Sequence, residues 1–140
     1  MSSLIRSFPL LVVPVAIYNA VILASATASG AEAAMARPFA RILMPTTGAT
    51  WQVHTGDLIL LVGLCALFFE VVASSGSSND VLLKHVLNML LFVVCLVEFL
   101  LLKPFATSTF FLLGTLSLMA TIAGFVITTV AARKDIEFAH

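Results

Sequence analysis

Residues 81–103, VLLKHVLNMLLFVVCLVEFLLLK, decide the architecture of this chain. The stretch is long and apolar enough to cross a bilayer, which takes about 20 residues in a helix. Its polar and small residues recur every three or four positions, which is the spacing of one face of a helix in a left-handed bundle. Because charged side chains are costly in lipid, we expect this face to contact protein. The face comprises Lys84, Asn88, Leu91, Cys95, Glu98 and Leu102.

The composition of the chain is typical of a membrane protein with little soluble structure. Its 140 residues are 61% hydrophobic and only 10% charged, whereas a soluble domain has about 25% charged residues. A chain of this length forms one domain, residues 1–140. The formal net charge of zero offers nothing to attract nucleic acid. We therefore expect the lipid bilayer as its main partner, with other membrane subunits or further copies of the chain as candidates for protein contacts.

Three other apolar segments, residues 8–28, 56–75 and 107–131, are also candidate spans. With residues 81–103 they predict an all-α integral membrane four-helix bundle, up-down-up-down, with left-handed crossings. Small or polar residues again recur at steps of three and four, which predicts the inward faces. The predicted inward positions are Ala16, Asn19, Leu23, Ala26 and Gly30, then Gly56, Ile59, Gly63, Ala66, Glu70, Ala73 and Ser77, then Gly114, Ser117, Thr121, Gly124, Thr128 and Ala131.

The first segment also has the pattern of a signal peptide, with cleavage near Ala24-Ser25-Ala26. Its apolar run exceeds the roughly 7–15 residues of a signal peptide core. We therefore predict that this helix is retained. Pro14 should kink it, and the kink is tolerated because neighbouring helices pack against it.

Residues 29–55 form the one sizeable loop of the predicted bundle. Apolar residues lie there among Arg37 and Arg41, which predicts a short amphipathic piece on the membrane surface. Trp51 is predicted to anchor it at the interface. A ligand-binding role for the loop is the alternative.

Orientation follows from the basic residues near the ends of the predicted spans. With the N-terminus inside, the inner side holds four of them and the outer side three, which favours an N-in and C-in topology. The inner residues are Arg6, Lys84, Arg133 and Lys134, and the outer ones are Arg37, Arg41 and Lys103.

Polar residues of the second and third spans are expected to meet near the inner membrane face. Counting back from a turn centred near residue 78 places Glu70 level with Lys84, His85 and Asn88. We predict an ion pair or a hydrogen-bonded cluster there. The cluster either holds the register of the two helices or forms a proton or ion relay, with His85 as the titrating member.

Glu98 lies on the inward face of the third span, and the nearest basic residue, Lys103, lies five residues on, about 140° round the helix. A buried acid without a cation favours its neutral form, which can donate a hydrogen bond. A substrate or proton site is the alternative. The candidate partners are Thr107, Thr109, His54, Asp57, Arg37 and Arg41.

Sequence motifs for catalysis and cofactor binding are absent. The chain has no Ser-His-Asp spacing, HExxH, P-loop or GxGxxG motif. Its histidines, His54, His85 and His140, lie in a loop, a helix and the tail. We predict a protein that is not an enzyme and that has no metal or cofactor. Cys65 and Cys95 are predicted to be buried small hydrophobic residues.

Five stretches carry a resemblance to known proteins: YNAVIL (18–23), TGDLILLV (55–62), FFEV (68–71), LLKHVLNMLLFVVCLVEFLL (82–101) and TIAGFVITTVAARKDIEF (121–138). They resemble a group of small four-span inner-membrane proteins of proteobacteria. The resemblance implies a multi-pass protein of the bacterial cytoplasmic membrane and implies no activity. Small multidrug carriers share the size, but they carry their key acid in the first span, where this chain has none.

Two functions remain open from the sequence. One is a non-enzymatic structural or accessory subunit of a membrane complex, which the lack of catalytic motifs favours. The other is a small oligomeric proton-coupled carrier or channel that uses Glu98 together with the cluster of Glu70, Lys84, His85 and Asn88.

Overall fold

A computed structural model describes residues 8–25, 30–73 and 79–137. These residues are mostly helical, with one small antiparallel sheet. The elements are α1 (Val12–Ala24), α2 (Gly30–Met35), β1 (Pro38–Leu43), β2 (Thr50–His54), α3 (Thr55–Ala73), α4 (Asn79–Leu101), a 3₁₀ turn (Lys103–Phe105) and α5 (Ser108–Glu137).

Three of the described helices are long and apolar enough to cross a membrane: Thr55–Ala73 in α3, Leu82–Leu101 in α4 and Ser108–Val130 in α5. Helix α1 is shorter than these three helices. Its 13 residues extend about 20 Å at 1.5 Å per residue. Pro14 lies two residues after the helix begins at Val12, and not in the helix interior where a kink was predicted. Pro14 stands in the first turn, where its missing N–H costs no hydrogen bond.

The all-α prediction is wrong for the loop, which contains a β-hairpin in addition to the short helix α2. Pro38 opens β1, where the pairing is irregular between Pro38 and Ala40, and Pro45 lies in the turn; both are positions that strands tolerate for proline. The turn is closed by two bonds, in which the Met44 N–H donates to Ala49 O and the Gly48 N–H donates to Met44 O. Gly48 has a φ of +69°, a conformation that glycine adopts without steric cost.

Helix α5 is the element on which the other long helices pack, since it contacts α1, α3 and α4. It runs parallel to α3. A Cβ atom at Gly56 would lie 2.6 Å from Thr109 Oγ1, and one at Gly63 would lie 3.0 Å from Leu116 Cδ1. The close approach of the two backbones therefore depends on small residues of α3, as is common between helices in lipid.

Helix α4 runs antiparallel to α5. The contact of Cys95 with Gly114 near one end of α4 is matched by the contact of His85 with Gly124 near the other. The consecutive helices α3, α4 and α5 therefore alternate in direction.

The inward face predicted for α3 agrees with the structure at Gly56, Ile59, Gly63 and Glu70, which are buried. Ala66 is half-buried and Ala73 is exposed. In α5, Ser117 and Gly124 are buried, and Gly114, Thr121 and Thr128 are half-buried. Ala26, Ser77 and the side chain of Ala131 lie outside the described part of the chain.

Two predicted faces need correction. In α1 the buried residues are Pro14, Val15, Tyr18 and Ile22, whereas Ala16 and Leu23 are exposed. The error at Ala16 arose because small residues were taken as inward, while larger ones fill this interface. In α4, Lys84, Asn88 and Cys95 are buried, but Leu102 lies beyond the helix end and is exposed. Cys65, predicted to be buried, is exposed on the outside of α3.

Candidate functional site

The carboxylate of Glu70 is the centre of a buried polar cluster. Its side chain is 1% exposed. The backbone N–H of Leu10 donates to Oε2 at 2.7 Å, and the Asn88 Nδ2–H donates to Oε1 at 2.8 Å. Lys84 Nζ lies 3.6 Å from Oε1. One acid of α3 therefore joins the chain before α1 to two residues of α4.

The Leu10 N–H is available because it precedes the first intrahelical bonds of α1. The N-cap residue, Leu11, offers no side-chain cap. A carboxylate from another helix takes that role and places negative charge at the positive end of the α1 dipole. Because Leu10 and Glu70 meet here, α1 runs antiparallel to α3. This contact could not be predicted from the sequence, since a backbone donor has no side-chain signature.

Lys84 completes the predicted cluster as an ion pair with Glu70. Both side chains are almost fully buried, at 6% and 1% exposure. Removing one member of such a pair is costly, because a charge is then left in a medium of low polarity. The arrangement is therefore well suited to holding three segments of the chain in one register.

His85 is the titrating member of this cluster in the relay alternative, and its ring lies against Gly124 of α5. Both ring nitrogens are buried and have no hydrogen-bond partner among the described residues. A Cβ at Gly124 would collide with the imidazole. The histidine therefore fills a notch between α4 and α5.

Glu98 contacts a residue that the sequence analysis did not propose. Its side chain interacts with the side-chain amide of Asn19 of α1, whose Nδ2–H donates to Val15 O at 3.0 Å. Glu98 Oε2 is buried and has no partner among the described residues. Asn19 was correctly predicted to face inward, but no signal in the sequence linked it to α4.

A second set of buried hydrogen bonds involves Tyr18 of α1. Its hydroxyl lies 2.6 Å from Thr107 Oγ1 and donates to Pro104 O at 3.2 Å. The tyrosine ring packs on Phe105 and Phe110, with ring centroids 5.7 Å and 4.8 Å away. Thr107 therefore bonds Tyr18 and not Glu98, to which the sequence analysis had assigned it as a candidate.

Metal-binding side chains do not converge within residues 8–25, 30–73 and 79–137, where no group of three His, Cys, Asp or Glu could hold an ion. The closest polar arrangement is His54 with Asp57, at the start of α3. Asp57 Oδ2 accepts the His54 backbone N–H at 2.8 Å and lies 3.2 Å from His54 Nδ1. This geometry is that of the acidic residue of a capping box, which satisfies a free N–H at a helix start.

Comparison with protein families, with characterised proteins and with solved structures shows no match to this chain. The resemblance noted from its sequence motifs therefore stays a prediction, and the function must be inferred from the site.

Proposed function

We propose that this chain is a small non-enzymatic membrane protein that serves as a structural or accessory subunit of a larger membrane assembly. In this proposal α1 with its flanking residues, α3, α4 and α5 cross the bacterial cytoplasmic membrane as an up-down-up-down bundle with left-handed crossings. Both termini face the cytoplasm.

The closure of Glu70 is the observation that carries the proposal. A carrier's acid must exchange protons or ions with water, whereas Glu70 is 1% exposed. Each of its oxygens accepts a hydrogen bond from another segment. Such an acid is suited to holding helices together, because removing one member of a buried ion pair is strongly destabilising.

A cleft on the side of the bundle supports a role as a subunit. It lies between α4 and α5 and has a volume of about 270 Å³. Phe92, Phe99 and Phe111 line it, and Gly114 and Thr115 lie among them. An apolar, aromatic-lined cleft has room for a large side chain of a neighbouring helix, and filled pockets of this kind dominate the energy of many interfaces.

Purification of the tagged chain from its native membrane in mild detergent tests the proposal. We expect a partner in constant ratio to the chain. Thr115→Phe fills the cleft and should release that partner, while Ile122→Phe should retain it. Ile122 is a matched control, because it lies on the same helix, outside the cleft, and is 53% exposed. A chain that purifies alone, or a partner retained by Thr115→Phe, contradicts the proposal.

A small proton-coupled carrier is a second candidate, favoured by buried oxygens without partners. These are Glu98 Oε2, Asn88 Oδ1 and Ser117 Oγ among the described residues. Buried polar atoms of this kind are where internal water is found in proteins. In this candidate, water beside Glu98 would pass protons along the interior of the bundle.

Glu98→Gln separates the two candidates, because glutamine keeps the size and hydrogen bonding but cannot titrate near neutral pH. A subunit should keep its stability and its partner in this variant. A carrier should lose proton uptake into vesicles and a carboxyl infrared band that follows bulk pH. If the band of the protonated carboxyl group persists from about pH 5 to about pH 9, as expected for an acid sealed from water, Glu98 has no part in transport.

A further inference from the structure

We propose that the hairpin of β1 and β2 binds an anionic lipid surface through one of its two faces. Strand pairing places Ile42 opposite Trp51 and Ala40 opposite Val53. Because successive residues of a strand alternate between faces, these four side chains share one face. That face carries no polar residue apart from the indole N–H of the tryptophan.

The opposite face of the hairpin carries the charged and polar side chains. Arg41 pairs with Gln52, and Leu43, which is 67% exposed, pairs with Thr50. The register therefore gathers Arg41, Gln52 and Thr50 on one face and leaves the other apolar, which neither strand shows clearly by itself. Amphipathic elements of this kind lie in the boundary between headgroups and acyl chains.

The apolar face remains open in the described chain. Trp51 is 52% exposed and Ile42 is 44% exposed. A two-stranded hairpin is marginally stable in water on its own, so burying these side chains against another surface would stabilise it.

The position of the hairpin indicates that this surface is lipid. His54 ends β2 and Thr55 begins α3, a helix of membrane-spanning length, with no linker between them. The Thr55 N–H and hydroxyl both donate to Arg37 O, at 3.0 Å and 3.2 Å. The base of the hairpin is thus held at the end of a span, which is the depth that tryptophan prefers.

The charge of the hairpin complements an anionic surface. Between Glu32 and Asp57 the chain has no acidic residue, while Arg37 and Arg41 are both exposed there. Basic residues next to a span are attracted to acidic headgroups. Insertion of the hairpin would also set the depth of α3, because the two are continuous.

Fluorescence of the full chain in vesicles tests this proposal, because Trp51 is the sole tryptophan. Vesicles of zwitterionic lipid, with and without anionic lipid, carry bromine either near the headgroup end or near the methyl end of the acyl chains. An apolar face buried about 5–10 Å below the headgroups predicts blue-shifted emission. It also predicts stronger quenching by the shallow bromine than by the deep one, and weak quenching by iodide in the water.

Two variants on opposite faces make the test specific. Ile42→Ser should shift emission to the red and weaken bromine quenching, whereas Leu43→Ser should leave both unchanged. Arg37→Gln with Arg41→Gln should remove the dependence on anionic lipid. Strong quenching by iodide would place the hairpin in water. Protection from both bromine and iodide would show that protein covers it, either a second copy or another subunit. Either result overturns the proposal.

Discussion

Glu70→Ala tests the buried polar cluster most directly, because this one substitution leaves three donors without an acceptor. Two are neutral, the Leu10 N–H and the Asn88 amide, at 2.7 Å and 2.8 Å from the carboxylate. The third is the Lys84 ammonium at 3.6 Å. These contacts join α3 both to the chain before α1 and to α4, so we expect the loss to appear as a lower free energy of unfolding of the whole bundle.

The size of the loss can be bounded from these contacts. Hydrogen bonds between membrane helices contribute about 0.6 kcal/mol each on average, while a buried donor left unmet costs about 1–3 kcal/mol. Lys84 adds less than the roughly 3–5 kcal/mol of a broken buried pair, because its ammonium can extend towards the interface. We expect Glu70→Ala to lower the free energy of unfolding by about 2–6 kcal/mol.

The double variant Glu70→Ala with Lys84→Met distinguishes the ion pair from the hydrogen bonds. Lys84→Met removes only the stranded charge, so the double variant should recover part of the loss and no more. Equilibrium unfolding in mixed micelles, followed by circular dichroism, measures all three variants, with the exposed acid change Glu32→Ala as control. Full recovery would show that the Leu10 and Asn88 bonds contribute nothing. Equal stability of Glu70→Ala and wild type would refute the cluster.

Three further predictions concern the packing and the topology. Gly124→Ala forces a methyl group into the ring of His85 and should lower the free energy of unfolding by about 1–3 kcal/mol. The control Gly114→Ala should be nearly neutral in the same assay, because its Cβ would meet only Cys95 Cβ, at 3.8 Å. Equal effects of the two changes would contradict the contact between α4 and α5. Tyr18→Phe removes the hydroxyl bonds of Tyr18 and should cost about 0.5–1.5 kcal/mol; no change in unfolding would show that the hydroxyl is not bonded. Reporter fusions in the turn of the β-hairpin and at the C-terminus should report opposite sides of the membrane, and a common side would exclude the four-span topology.

The long helices and the inward face of α3 could be predicted from the sequence because both depend on local order. The length of an apolar run decides whether a helix can cross a bilayer. The small and polar residues of α3 also recur at the spacing of one helix face, and the antiparallel turn after α3 brings Glu70 to Lys84 by counting alone. The same local reasoning failed for α1. Its small residues are exposed, and its large ones lie both in the interface and outside it, so residue size did not indicate which side faces the bundle.

The partners of the polar groups were decided only by the tertiary structure. Glu98 meets Asn19, which lies 79 positions away by number, on α1. Glu70 accepts a hydrogen bond from a backbone N–H that is free only because α1 begins after Leu10. The polar and apolar faces of the β-hairpin likewise exist only once β1 and β2 pair in their observed register. In each case the contact depends on how one element is rotated or aligned against another. That rotation is set by packing of the whole bundle, because no single segment carries enough polar landmarks to determine it.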